Sequence, residues 1–174
     1  IIEKFLFERD QIIILAKEKV GKSLFSQFMA LQLTCAEDFL GEYPIQEETN
    51  VIYLQAEGKI SQTHSNLKNM LKVVPANMKR FLLLYAPAIA IDTQAGFDEV
   101  YRAIKANPLP IAKNTVFFGD SLYMLMRGDL KDDEDSKLFV ANMRILAEEF
   151  KLTTAIMHHS HRPIRDMKNY QTIF

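Results

Sequence analysis

Apolar residues fall in five short blocks, and the segments between them carry helical spacing. Ile12-Ile13-Ile14-Leu15, Val51-Ile52-Tyr53-Leu54, Phe81-Leu82-Leu83-Leu84-Tyr85, Thr115-Val116-Phe117-Phe118 and Thr153 to Met157 are each too short for a stable helix and read as strands. The first is apolar throughout, as a buried parallel strand should be. After it, Phe25, Phe28, Met29 and Leu33 recur at helical spacing and predict a helix from Lys22 to about Thr34. Asp38 to Asn50 is a polar connection holding Gly41 and Pro44. Further helices are predicted over about Ser61 to Val73, closed by Pro75, and about Thr93 to Lys105, stopped by Asn107-Pro108. A last helix is predicted from about Ser136 to Phe150, after the acidic stretch Asp129 to Asp135. Strand and helix alternate with no internal repeat or domain boundary. That pattern predicts one α/β domain over residues 1–174, with a mostly parallel sheet and right-handed crossovers.

In such sheets ligands bind beyond the carboxyl ends of the strands, so the residue after each strand carries the chemistry. The first strand runs into Ala16-Lys17-Glu18-Lys19-Val20-Gly21-Lys22-Ser23. The closing triplet has the spacing of a phosphate-binding P-loop, with Ala16 where a first glycine is usual. Backbone N–H groups there cradle phosphates, Lys22 reaches the β- and γ-phosphates, and the Ser23 hydroxyl ligates Mg²⁺. Alanine at position 16 fits if its φ is negative. The plain alternative is a basic helix start that happens to read Gly-Lys-Ser.

The second strand ends at Gln55-Ala56-Glu57, a candidate general base for an attacking water or else a solvated loop acid. The fourth ends at Gly119-Asp120, the Walker B arrangement of an apolar strand delivering a metal-holding carboxylate. A capping or turn aspartate is the alternative. The fifth runs into His158-His159-Ser160-His161. A histidine there can hydrogen-bond a γ-phosphate. A zinc set of His158, His159 and His161 is a weaker reading, because no cysteine or placed carboxylate completes it.

Composition narrows the partners. Lys and Arg number 21 against 22 Asp and Glu, so net charge gives no general attraction to nucleic acid, and binding it would need a local basic patch. The single Cys35 excludes an intrachain disulfide and fits a reducing, cytoplasmic compartment. No apolar run approaches membrane-spanning length, no signal peptide is present, and the chain starts without Met.

Together these motifs resemble the RecA-like P-loop NTPases, and most closely the RepA-type branch of plasmid and phage AAA-family ATPases, relatives of hexameric replicative helicases. The likeness covers almost the whole chain. It rests on Ile14 through Ser23, Phe39-Leu40-Gly41, Val51 through Glu57, Val116 through Leu122, Gly128-Asp129, and Ala155 through His159. The resemblance implies a RecA-like three-layer α/β/α sandwich that binds ATP with Mg²⁺. It implies a nucleotide loop of Ala16, Lys17, Glu18, Lys19, Val20, Gly21, Lys22, Ser23 and Leu24, with metal ligands Ser23 and Asp120. Its catalytic residues would be Glu57 as base, Lys22, and His159 as γ-phosphate sensor. It further implies a homo-oligomer, either a hexameric ring or a filament, acting on single-stranded DNA. Ala16 and Gly119 depart from the family pattern, since an apolar residue usually precedes the Walker B aspartate. Relatives continue with more strands and a finger residue reaching the neighbouring subunit, so the chain is expected to be a fragment of that core. Arg162, Arg165 and Lys168 are basic and follow the sensor strand, and no finger is assigned among them.

Three other readings compete. Gly119-Asp120-Ser121-Leu122 spells the motif of the GDSL esterases, with Ser121 as nucleophile. In those enzymes the motif follows the first strand, and here no Asp stands three residues before any of the candidate histidines. The other two are a nucleotide-binding module without turnover and a recombination mediator that forms filaments on DNA.

Overall fold

The computed structural model describes residues 1–87, 89–128 and 132–159. Its centre is a five-stranded, all-parallel sheet of β1 (Gln11–Ala16), β2 (Asn50–Gln55), β3 (Phe81–Tyr85), β4 (Thr115–Asp120) and β5 (Leu152–His159), in the order β1-β5-β4-β2-β3. The connecting helices are α1 (Lys22–Cys35), α2 (Ile60–Met70), α3 (Gln94–Ala106), the single turn α4 (Leu122–Leu125) and α5 (Asp133–Glu149). A 3₁₀ turn at Met78–Arg80 leads into β3. Two apolar clusters fill the two faces. One packs Met29, Ala30 and Leu33 of α1 against Val51, Tyr53, Val116, Phe118 and Met157. The other packs Val100, Ile104, Phe139, Met143 and Leu146 of α3 and α5 against Ile52, Leu54, Phe117 and Ile156. This is the RecA-like three-layer α/β/α sandwich.

Element ends differ from the sequence expectation for local reasons. α5 starts at Asp133, ahead of Ser136. The Asp132 carboxylate accepts from the N–H groups of Glu134 and Asp135, and Asp133, Glu134 and Asp135 sit at the positive end of the helix. Thr93 caps α3 from outside by accepting from the Gly96 N–H. β5 runs on through His159, so the histidines belong to the strand.

β1 is not buried on both faces. Ile13 is 63% exposed and Leu15 60%, whereas Ile12 and Ile14 pack into the α1 side. The reason is topological: β1 is last in the order, and its only ladder neighbour among the described residues is β5. An all-apolar run cannot tell a central strand from one covered on a single face. Among the described residues, no helix is long and apolar enough to cross a membrane.

Candidate functional site

Register brings the candidate residues together. Ala16 pairs with His159, and Gln55 with Asp120, so the ends of β1, β5, β4 and β2 lie along one rim. The loop from Ala16 to Ser23 crosses that rim. Ala16 is not among the residues with positive φ; Lys19 (φ 59°) and Gly21 (φ 94°) make the reversals. Gly21 is the N-cap of α1 in the left-handed region, where a Cβ would strain the backbone although open space surrounds it. No side chain caps α1, and its first turn holds no acid. Its leading N–H groups and positive dipole end are therefore left for an anion. Lys17, Glu18, Lys19, Val20 and Leu24 are exposed along this loop and first turn.

Lys22 is 7% exposed and turns back over the loop. Its ammonium donates to the Ala16 carbonyl at 3.0 Å, the Lys17 carbonyl at 2.6 Å and His159 Nδ1 at 3.0 Å. Three protons thus meet three acceptors. An ammonium has no lone pair, so His159 Nδ1 must accept, and the ring proton sits on Nε2. That nitrogen lies 3.2 Å from Glu57 Oε2 and donates to it, which makes the contact a hydrogen bond from a neutral imidazole. The same carboxylate oxygen accepts from the Ser121 hydroxyl at 2.6 Å. Lys22, His159, Glu57 and Ser121 form one continuous chain across the ends of β1, β5, β2 and β4.

Asp120 is buried at the end of β4, and its carbonyl accepts from the N–H groups of Ala56 and Glu57. Its carboxylate accepts from Tyr53 at 3.1 Å and stands beside the Ser23 hydroxyl. Burial pushes the Asp120 carboxyl above the usual range, against the hydrogen bonds of Ser23 and Tyr53. For Glu57, burial pushes the same way, but hydrogen bonds from Ser121 and His159 and the charge of Lys22 outweigh it and hold the carboxyl low. Their surroundings thus shift the two carboxyls in opposite directions from their ordinary values. An oxygen pair from a hydroxyl and a carboxylate suits a hard cation such as Mg²⁺. The Asp120–Ser121 peptide is cis.

Ser121 is fully buried and donates to a carboxylate, so among the described residues it is not an exposed serine held on a histidine base. Among the described residues no three His, Cys, Asp or Glu side chains cluster as a metal set, and His161 lies outside those residues, as do Asp129, Arg162, Arg165 and Lys168. His158 sits opposite Leu15 in the ladder, one position before His159. The sequence reading passed over Tyr53 and Ser26, whose hydroxyls lie 2.8 Å apart behind Asp120. A signal existed for Tyr53: a buried tyrosine in an apolar strand needs a partner for its hydroxyl.

A family model described as "AAA domain" matches residues 1–163. Among solved structures, the chain is similar to one titled "The Structure Of A DnaB-Like Replicative Helicase And Its Interactions With Primase". The TM-score is 0.60 at 11% identity, covering 96% of this chain and 44% of that one. The present chain therefore spans less than half the length of that protein, and at this identity the likeness is one of fold. No curated protein matches the chain.

Proposed function

The chain belongs to the AAA-domain family, and from that premise we propose that it binds Mg-ATP across the rim and hydrolyses it as the motor core of a RepA-type DNA helicase or a related replication or recombination ATPase. The observation that carries the reading is the hydrogen-bonded chain Lys22–His159–Glu57–Ser121, with Asp120 and Ser23 beside it. Phosphate-binding, base and metal-holding groups from four strand ends converge there. The fold it shares with a DnaB-like replicative helicase supports the motor assignment.

Each residue then has a role. The uncapped start of α1 and the loop Ala16–Leu24 receive the phosphates, and Lys22 exchanges its loop carbonyls for the β- and γ-oxygens. Ser23 and Asp120 hold Mg²⁺, which neutralises charge developing on the phosphates. Glu57, kept ionised, orients a water and takes its proton as the water oxygen bonds the γ-phosphorus and the bond to the β-phosphate oxygen breaks, leaving ADP and phosphate. His159, released when Lys22 moves, contacts the γ-phosphate and senses whether it is present. Function as a hexameric ring or filament on single-stranded DNA in the cytoplasm belongs to the same reading.

Lys22→Ala tests it. Titration with a fluorescent ATP analogue should show binding to the parent and none detectable in the variant, with far-UV circular dichroism unchanged. Equal affinity in the two proteins would refute the assignment of the loop.

A further inference from the structure

Asp120 is backed by a buried hydroxyl circuit. Tyr53 has no exposed surface, and its ring stacks between Phe81 and Phe118, at centroid distances of 6.3 and 5.8 Å and interplanar angles of 17° and 20°. Clamped in this way, the ring has no room to swing its hydroxyl elsewhere. That hydroxyl stands 3.1 Å from Asp120 Oδ2 and 2.8 Å from Ser26 Oγ, with the Gln27 side chain beside it. Ser26 Oγ in turn lies 3.1 Å from the carbonyl oxygen of Ser23.

We infer that Tyr53 is a positioning residue for the metal site: its hydroxyl fixes the orientation of the Asp120 carboxylate and ties it, through Ser26, to the turn of α1 that carries Ser23. The inference rests on the reading of Ser23 and Asp120 as the Mg²⁺ ligands. Counting protons gives the direction of the circuit. A carboxylate holding a cation only accepts, so the single Tyr53 proton points to Asp120 Oδ2. Ser26 must then donate toward the Tyr53 oxygen, and its one proton is shared between that oxygen and the Ser23 carbonyl. The circuit closes where the Ser23 hydroxyl meets Asp120. Two ligands from different elements, β4 and α1, are in this way held at a fixed separation before any cation arrives. Such outer contacts orient ligands and raise metal affinity.

The test measures metal binding directly. Mn²⁺, visible by electron paramagnetic resonance, is titrated into the protein with a non-hydrolysable ATP analogue present. The parent, Tyr53→Phe and Ser26→Ala are compared. Metal-free nucleotide affinity in EDTA and the melting temperature are recorded alongside. Tyr53→Phe keeps the stacked ring and removes one hydrogen bond to a charged group. Its Mn²⁺ affinity should fall roughly tenfold, with metal-free nucleotide affinity unchanged. Ser26→Ala should shift Mn²⁺ affinity the same way by a smaller factor. Parental Mn²⁺ affinity in Tyr53→Phe overturns the inference whatever the melting temperature does, because the tyrosine is then only structural. Should Tyr53→Phe fail to fold, Ser26→Ala decides, and parental affinity there overturns the inference equally. A parent that binds neither nucleotide nor Mn²⁺ removes the nucleotide-site reading itself and this inference with it.

Discussion

Glu57 and Asp120 are two carboxyls at neighbouring strand ends held in opposite senses, and the pH behaviour of turnover follows from that. Hydrogen bonds from Ser121 and His159 hold Glu57 below its ordinary value, while burial holds Asp120 above its own. Protonation of Asp120 competes with the cation. The acid limb of the rate profile should therefore reflect loss of metal, and raising Mg²⁺ should move that limb to lower pH. A limb that does not respond to Mg²⁺ would assign it elsewhere. Glu57→Gln keeps the shape and loses the base; it should bind ATP normally and turn over at least about a hundredfold more slowly in an active, assembled form. Parental turnover in that variant would mean that Glu57 is not the base. At this scale the sequence put Glu57, Asp120 and His159 at the ends of apolar strands, and the structure has them at the ends of β2, β4 and β5. The sequence was silent on what each group touches. Gly119 shows why. A Cβ there would come within 2.7 Å of Ile156 Cδ1 and Leu125 Cδ1, so a side chain at this position would require those two to shift, and Ile156 lies on another strand. No local pattern records that contact.

Among elements, the join between residues 90–93 and α3 is a close fit. Thr93 accepts from both the Gly96 N–H, at 3.1 Å, and caps its own turn by donating to the Ala90 carbonyl at 2.8 Å. A Cβ on Gly96 would run into that same Ala90 carbonyl, which is backbone and cannot swing aside. Thr93→Ala should lower stability by about 1 kcal/mol through the lost cap. Gly96→Ala should exceed that despite its better helix propensity, since the loop must move; denaturant titration of the two variants gives the order. If Gly96→Ala is the more stable of the pair, the close approach is not a constraint. The start of α3 was expected at about Thr93 and falls at Gln94, with Thr93 as its cap. The start of α5 was not legible, because Asp132 and the acids after it look like a solvated charge run until one of them is seen to cap. Nor was the exposed face of β1, because Ile13 and Leu15 have the same composition as residues buried on both sides.

For the whole molecule, the order β1-β5-β4-β2-β3 sets the first strand beside the last described one. Lys22 and His159 meet only across that pairing, 3.0 Å apart at the end of a ladder that joins Gln11–Ala16 to residues 154–159. During synthesis β1 leaves the ribosome ahead of the other described strands, and its ladder neighbour among the described residues, β5, follows after all of them. Closing so long a loop is slow compared with pairing local elements. Until then the edge of β1 that pairs with β5 is open, and unpaired strand edges are prone to associate with other chains. The phosphate loop is thus encoded well ahead of the strand that completes it. Ligand capture by this site would report that β5 has docked beside β1, and a nucleotide bound there would hold the contact between Lys22 and His159, 137 positions apart in sequence, in place.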